Sequence, residues 1–248
     1  MNILVCISSV PDTTSKINFK ENNSKFDSDG IQYVINPYDE FGLTKAMKIK
    51  ESTGGKITVI TVGDASVEPV IRKALAIGAD EAIRVNMVPE DSYSVAFEIS
   101  EYIKENSFNI IITGRESTDY NGGAVPGMIA ELTNLPLVNA CIGLEVEGEN
   151  VKLVREIDGG KEMISSSMPI IIGGQKGLVY ESELRIPNMR GIMQSRTKPL
   201  SVIDSKSTSV YSSTISFEKP EEKSGCKIVD SENVSELVDL LQNEAKVI

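Results

Sequence analysis

Apolar and polar positions along the chain follow two alternating patterns. Short runs rich in β-branched residues predict strands, and they lie at 2–10 and in the segments KITVITVG, EAIRV and FNIIITG. Longer segments, in which apolar residues recur every three or four positions, predict helices. Because strand and helix alternate over this part of the chain, we expect an α/β fold with a doubly wound, mostly parallel sheet.

Three helices have recognisable boundaries. The first begins at NPYDE, where Asn36 is expected to cap free amide groups and Pro37 suits the first helical position, and it ends at Gly54. The second follows Ser66. The third covers Ser92 to about Glu105. These helices would connect the strands as right-handed crossovers.

The pattern changes in the second half of the chain. From Cys141 onward, apolar and polar residues alternate and turns fall at EGEN and DGG, which predicts an antiparallel meander added to the same sheet. From Lys198 to about Asp230 the chain is rich in Ser, Lys and Glu, which predicts an extended arm. The arm ends in a helix with one apolar face, which packs either on its own domain or on another subunit. We therefore divide the chain into an α/β domain at 1–198 and an arm with its helix at 199–248.

The amino-acid composition excludes several classes of partner and of catalytic or metal site. The chain of 248 residues is long enough for one large domain, and its net charge of -11 argues against nucleic acid or an anionic membrane as a partner. It contains no histidine, which removes the commonest general base and the commonest metal ligand. Its three cysteines are far apart and form no metal-binding spacing.

Apolar run length, the first residues of the chain and the cysteine spacing indicate the cellular compartment of the protein. No apolar run approaches the about 18 to 20 residues that a membrane-spanning helix needs, so the protein is not expected to be embedded in a membrane. The first ten residues lack the basic region and cleavage site of a signal peptide. Widely spaced cysteines without a disulfide framework suit a reducing compartment. The sequence therefore predicts a cytoplasmic protein.

A ligand is expected where the carboxyl ends of the parallel strands meet. Four segments should converge there: Cys6–Val10, the turn INPYDE, Val62 with Gly63, and the glycine-bearing stretch TGRESTDYNGGAVPG at 113–127. That stretch lacks both GxGxxG and GxxxxGK[ST], which disfavours a dinucleotide dehydrogenase or a P-loop enzyme. A ligand at this edge would therefore be bound by neither of these two phosphate-binding motifs.

The glycine-bearing stretch itself has two interpretations. Backbone amides of Gly122, Gly123, Ala124 and Val125 at a helix amino terminus would bind a phosphate without any basic side chain. The glycines would equally well close a plain tight turn. Asp119 either accepts hydrogen bonds from ligand hydroxyl groups or caps the turn.

Two later segments carry charged and apolar residues together. In VREIDGGKE, the two-residue turn at Asp158 and Gly159 follows Arg155 and Glu156, and an ordinary solvated hairpin explains this pattern as well as a functional one does. In LRIPNMRGIMQSR, two methionines and two isoleucines stand among three arginines. Such a methionine stripe belongs either to the core or to a docking surface.

Taken in order, these segments resemble the beta subunits of electron transfer flavoproteins. The resemblance rests on ILVCISSVPDTTSKI, INPYDEFGL, IRKALAIGADEAIRV, TGRESTDYNGG, VREIDGGKE and LRIPNMRGIMQSRTKP, which together span Asn2 to Lys198. It implies an α/β domain of the adenine-nucleotide-binding type. It also implies a heterodimer, in which an alpha subunit makes most contacts to a redox-active FAD and the beta subunit holds a buried AMP.

The resemblance further implies an electron carrier rather than an enzyme with a substrate of its own. Such a pair takes electrons from flavin dehydrogenases, for example acyl-CoA dehydrogenases, and passes them to a ubiquinone or menaquinone oxidoreductase. No substrate bond is cut, which would explain the missing histidine. The arm at 199–248 would dock on the alpha subunit.

Individual residues carry the implied roles. Tyr38 matches an aromatic position near the flavin ring, and Glu156 matches a hairpin glutamate that pairs with the alpha subunit. Met189, where a leucine is usual, matches the anchor of a loop that inserts into the dehydrogenase. The cofactor-binding positions fall on Cys6, Asn36, Pro37, Tyr38, Asp39, Val62, Gly114, Asp119, Gly122, Gly123, Ala124 and Val125.

The sequence departs from the family pattern at two places. Gly123, Ala124 and Val125 replace an Asn-Gln-Thr common in members that hold AMP, and Val125 resembles relatives that hold a second FAD, oxidise NADH and bifurcate electrons. Arg190 follows the anchor where a proline is common, and this charge would act on encounter with the dehydrogenase. A stand-alone adenine-nucleotide-binding protein of the same fold is a further alternative.

Overall fold

A computed structural model describes residues 1–206, 209–221 and 225–248. Its centre is a nine-stranded sheet, in the spatial order β11-β10-β9-β12-β8-β1-β6-β7-β13. The nine strands are β1 (Asn2–Cys6), β6 (Lys56–Val62), β7 (Glu81–Asn86), β8 (Ile110–Gly114), β9 (Leu137–Glu147), β10 (Asn150–Ile157), β11 (Gly160–Ser167), β12 (Ile170–Gly174) and β13 (Leu200–Asp204). Within the described ranges, four short strands lie outside this sheet: β2 (Ser9–Pro11), β3 (Phe19–Lys20), β4 (Lys25–Phe26) and β5 (Tyr33–Ile35).

The sheet is mostly parallel, as predicted. Strand β1 lies between β6 and β8 and is parallel to both, while β10 is antiparallel to β9 and β11 and forms the predicted meander on the same sheet. All five residues of β8 and of β12 are buried. Strands covered on both faces read as continuous apolar runs, which is why their sequences are rich in isoleucine.

Helices cover both faces of the sheet. The helices are α1 (Pro37–Thr53), α2 (Glu68–Ile77), α3 (Ser92–Glu105), α4 (Val125–Thr133), α5 (Met189–Ser195) and α6 (Val234–Asp239). Buried residues of α1 and α2 share one core with Ile3 and Val5 of β1, and those of α3 and α4 share a second core with Leu4. Successive residues of a strand point to opposite faces, so β1 contributes to both cores. The arrangement is the doubly wound α/β fold.

The structure refines two predicted boundaries. The apolar run at 2–10 forms two strands, since β1 ends at Cys6 and β2 pairs antiparallel with β5. Helix α1 ends at Thr53 before Gly54, as expected, but the side chain of Asn36 makes no capping hydrogen bond to it. Asn36 instead binds residues farther along the chain.

The arm begins with a strand of the sheet. Leu200–Asp204 form β13, which pairs in parallel with β7, so the sheet continues past the boundary expected at residue 198. Residues 209–221 follow without regular structure, and α6 continues into a wider helical turn at Leu240–Ala245. Residues 207, 208 and 222–224 of the expected arm lie outside the described residues.

Candidate functional site

A cavity of about 650 Å³ opens at the carboxyl edge of the parallel strands. This volume falls within the roughly 300–1,000 Å³ range typical of small-molecule sites. Nine of the twelve expected cofactor-binding residues line it, and these are Cys6, Asp39, Val62, Gly114, Asp119, Gly122, Gly123, Ala124 and Val125. Cys6, Val62 and Gly114 end the parallel strands β1, β6 and β8. Asp39 comes from α1, and the others come from the loop after β8 and the first residue of α4. The predicted convergence of these segments is therefore present in the fold.

The loop between β8 and α4 presents free donors. Gly123 has a φ of +59°, which favours glycine, and Ala124 immediately precedes the nine-residue helix α4. Among the described residues, none accepts a hydrogen bond from the backbone amides of Gly122–Val125. Unpaired amides at a helix amino terminus form an anion-binding surface. The loop therefore has the geometry of the phosphate-binding alternative.

The side chains around the cavity are acidic. Its carboxylate-bearing residues are Asp39, Asp64, Glu90, Asp91, Glu116 and Asp119, and the described part of the chain places no lysine or arginine in its wall. The amino termini of α3 and α4 lie at this edge, as does the turn that leads into α2. Helix amino termini carry partial positive charge. An anionic ligand would therefore depend on backbone amides, whereas the carboxylates suit hydroxyl groups.

Asp39 is the most deeply buried of these carboxylates. Its side chain accepts a hydrogen bond of 2.7 Å from the amide of Ser8 and one of 3.0 Å from the side-chain amide of Asn36. Burial nevertheless raises the pKa of Asp39 to about 7. Burial and the nearby charge of Asp39 also raise the pKa of the Cys6 thiol well above its usual value. Cys6 is therefore a protonated wall residue rather than a nucleophile.

Asn36 ties the start of α1 to the loop after β8. Its side-chain nitrogen donates to the carbonyl of Glu116 at 2.9 Å, and its oxygen accepts a hydrogen bond from the amide of Thr118 at 3.2 Å. A methyl group on Gly114 would lie only 2.3 Å from Oδ1 of Asp39. Asn36 and Gly114 thus hold the two segments in close contact. Asn36 itself does not line the cavity.

The remaining expected cofactor residues have different surroundings. Pro37 lines a second cavity of about 220 Å³, and Tyr38 is half-buried and lines neither cavity. Asp119 accepts a hydrogen bond of 2.8 Å from the amide of Tyr120, so it stabilises its own turn while also reaching the cavity wall. The two interpretations of Asp119 are compatible in this geometry.

Glu156 lies near the end of β10, beside the predicted two-residue turn. Gly159 has a φ of +82° in that turn. The buried side chain of Gln175 donates a hydrogen bond to Glu156 and accepts one of 3.0 Å from Arg115. Gln175 therefore joins the hairpin to the first residue after β8.

Met189 begins α5 and is 75% exposed, so the methionine segment lies on the surface rather than in the core. Arg190, the next residue, is also exposed. Helix α5 packs closely on α2, because a methyl group on Gly191 would meet the carbonyl oxygen of Ala76 at 2.3 Å. Ala76 is near the end of α2, while Val67, just before α2, lines the cavity. Met189 and the cavity therefore lie toward opposite ends of a helix about 15 Å long.

The sequence of the chain was also found to be similar to those of known proteins. The family model described as "Electron transfer flavoprotein domain" matches residues 24–208. The chain belongs to the electron transfer flavoprotein family. It is 33% identical to the electron transfer flavoprotein subunit beta of Bacillus subtilis, over the full length of both chains. It is also similar to the beta subunit of Syntrophomonas wolfei, at 33% identity over all of this chain and 98% of the relative, and to that of Dictyostelium discoideum, at 31% over all of this chain and 99% of the relative.

In this electron transfer flavoprotein family member, no sequence pattern identifies some of the residues that line the cavity. Ser212, Ser213 and Thr214 line the cavity from the arm, and Asp91 joins them from the start of α3. Asp91 lies about 120 residues from the arm segment that it contacts. Periodicity reports local structure and not contacts between such distant segments. Only the serine-rich composition of the arm sets these residues apart.

Across the described residues of this family member, no helix is both long enough and apolar enough to cross a lipid bilayer.

Proposed function

We propose that the chain is the beta subunit of a heterodimeric electron transfer flavoprotein, acting as an electron carrier without substrate turnover of its own. Full-length similarity to beta subunits supports this, and so does the cavity lined by nine of the expected cofactor residues. The pair takes electrons from flavin dehydrogenases, such as acyl-CoA dehydrogenases, and delivers them to a ubiquinone or menaquinone oxidoreductase. Its free thiols suit a cytoplasmic location.

The proposed ligand of the cavity is AMP, and the residues present fit it. Amides of Gly122–Val125 would bind the phosphate, and nearby carboxylates such as Asp119 would accept hydrogen bonds from ribose hydroxyls. Ile60, Val62 and Ile99 give the cavity an apolar wall for the adenine ring. Because backbone amides bind the phosphate and carboxylates bind only hydroxyl groups, an acidic cavity could hold AMP.

A second FAD is the alternative ligand. The observation that favours it is Val125, which resembles relatives that bifurcate electrons and oxidise NADH. A stand-alone adenine-nucleotide-binding protein is a weaker alternative, because the exposed hairpin and α5 segments would then have no partner.

The redox-active FAD is proposed to lie between this chain and an alpha subunit, where it supplies one- and two-electron transfer. Tyr38 would contribute an aromatic surface beside the flavin ring. Glu156, held by Gln175, would pair with a cation of the alpha subunit. Neither residue transfers a proton in this scheme. Their contribution is to position the flavin and its domain.

The carrier function is tested by co-expressing the chain with its alpha subunit and mixing the purified pair with an acyl-CoA dehydrogenase and its substrate. Bleaching of the pair's flavin absorbance, dependent on the dehydrogenase, is the expected result. A pair that forms but is reduced directly by NADH, with no dehydrogenase present, would favour the bifurcating alternative.

The docking role proposed for Met189 predicts a kinetic defect. Met189→Ala should leave the flavin content unchanged and raise the KM of the dehydrogenase for the carrier about 5- to 30-fold, since truncating a central anchor typically costs about 1–2 kcal/mol. Met163→Ala is the matched control, because Met163 is 80% exposed on the distant strand β11. Equal KM values for the two variants would contradict the docking role.

The terminal helix is proposed to dock on the alpha subunit. Its apolar residues Val234, Leu237 and Val238 are 63%, 45% and 41% exposed, so in this chain they do not pack into the core. Burying such a stripe against a partner would stabilise the pair by the hydrophobic effect.

Charges introduced into this stripe should therefore weaken the heterodimer. We expect Leu237→Asp combined with Val238→Asp to raise the dissociation constant of the pair at least about tenfold, measured by analytical ultracentrifugation. Ser235→Asp, which adds a charge beside the stripe, is the control and should have little effect. A double variant that associates as tightly as the wild type would show that the helix does not dock.

A further inference from the structure

The arm is fastened to the domain at the start of α3. The carboxylate of Asp91 accepts hydrogen bonds from the amides of Tyr211 and Ser212, at 2.8 and 3.2 Å. The ring of Tyr211 packs edge-on against Tyr93, with 4.7 Å between the ring centroids. Burial raises the pKa of Asp91, but hydrogen bonds from Ser94 and the arm outweigh it and hold that pKa below its usual range. Asp91 is therefore ionised at neutral pH and accepts these bonds as a carboxylate.

A second attachment lies six residues farther along the arm. The ring of Phe217 stacks on Phe19 of β3, with 4.8 Å between centroids and an interplanar angle of 8°. The amide of Phe217 donates to the carbonyl of Asn23 at 2.7 Å, and Lys219 donates to the side chain of Asn18 at 2.9 Å. The arm is thus fixed both to α3 and to the hairpin formed by β3 and β4.

The segment between these attachments forms a wall of the cavity. Ser212, Ser213 and Thr214 line the same cavity as the loop amides at 122–125. Ile215, next in the chain, is 86% exposed. No described residue forms a hydrogen bond with residues 213–216. The segment is therefore held at its ends and not along its length.

We propose that residues 211–217 form a strap that closes the nucleotide cavity, and that an adenine nucleotide enters and leaves only when the strap detaches. The inference rests on the proposed function, in which this cavity holds an adenine nucleotide. It goes further by assigning the arm a role at that site. Attachments made of a few hydrogen bonds and two aromatic contacts open at lower cost than the sheet beneath them.

A strap has a kinetic signature that distinguishes it from a residue that binds the nucleotide. Weakening an attachment raises the open population of both the free and the loaded protein. Release and uptake rates then rise by the same factor, while the dissociation constant changes little. A variant that merely damages the cavity would instead raise the dissociation constant through faster release alone.

Tyr211→Ala is the variant of choice, because Tyr211 anchors the strap without lining the cavity. The heterodimer is loaded with isotopically labelled AMP and chased with unlabelled AMP. We expect release and uptake to be about two- to tenfold faster, the effect expected from losing one aromatic pair. Phe217→Ala should act in the same direction from the other attachment. Tyr211→Phe keeps the ring and should match the wild type.

Three results would overturn the proposal. If labelled AMP is bound but Tyr211→Ala and Phe217→Ala release it at the wild-type rate, the strap is refuted and the AMP site stands. If release alone rises and the dissociation constant with it, the strap does not control access. If the heterodimer binds no adenine nucleotide in this cavity, the strap and the proposed ligand are refuted together.

Discussion

Gly114→Ala is expected to destabilise the protein and to lower nucleotide occupancy of the proposed AMP cavity. The added methyl group would lie 2.3 Å from Oδ1 of Asp39, 2.9 Å from Cβ of Tyr38 and 3.0 Å from Nδ2 of Asn36. All three belong to the short segment at the start of α1, so no single flexible side chain can move aside to make room. Overpacking typically costs about 1–3 kcal/mol, and displacing Asp39 would in addition break the part-buried hydrogen bond that its carboxylate accepts from the amide of Ser8.

The measurement is a thermal unfolding curve together with the nucleotide content of the purified pair. A loss of about 3 kcal/mol corresponds to a midpoint roughly 6–12 °C lower for a chain of this size. Gly127→Ala is the matched control, because a methyl group there meets nothing within 4 Å and the residue lies in α4. That variant should be as stable as the wild type or slightly more so. Normal stability and nucleotide content in Gly114→Ala would contradict the close contact between β8 and α1.

Asp39 should make stability fall as the pH rises from about 4 to about 7. An unfolded aspartate has a pKa of about 3.9, whereas burial raises the pKa of Asp39 in the folded chain to about 7. Between these values the folded state holds a proton that the unfolded state has lost, so each pH unit lowers the free energy of unfolding by about 1.4 kcal/mol. Below about pH 4 this contribution is fully present, and above about pH 7 it is lost.

Comparison with Asp39→Asn isolates this effect, because the variant cannot titrate at position 39. The difference in unfolding midpoint between wild type and variant should shift steadily against the wild type between pH 4 and pH 7, and then level off. Asp12→Asn is the control, because hydrogen bonds from Thr14 lower the pKa of Asp12 below its ordinary value. Its difference from the wild type should therefore stay constant between pH 4 and pH 7 and change, with the opposite sign, only below about pH 4. A constant difference across the range would show that the donors around Asp39 keep it ionised.

Much of the fold follows from local pattern. Isoleucine-rich runs such as β8 are buried on both faces, so their hydropathy alone identifies them. Helix α3 matches its predicted range because a capping box at Asp91 and Ser94 marks its start. Edge strand β13 was assigned to the arm because it lies at the start of a stretch rich in Ser, Lys and Glu. None of its five residues is buried at the sheet margin, as is common for edge strands, so no strong apolar pattern marks it.

The part of the site at the strand ends was predictable from topology alone. Cys6, Val62 and Gly114 end parallel strands, so topology brings them together. Asn36 looked like a helix cap from its place before Pro37, but its side chain bonds to Glu116 and Thr118, about 80 residues away. Such choices between local and distant hydrogen bonds depend on tertiary packing.

We propose that this chain joins an alpha subunit, with FAD held between the two chains and AMP in the cavity of this chain. The most direct test is to co-express the two chains, denature the purified pair and count its cofactors by chromatography. We expect one FAD and one AMP per heterodimer. Two FAD molecules and no AMP would contradict it and assign the cavity to a second flavin.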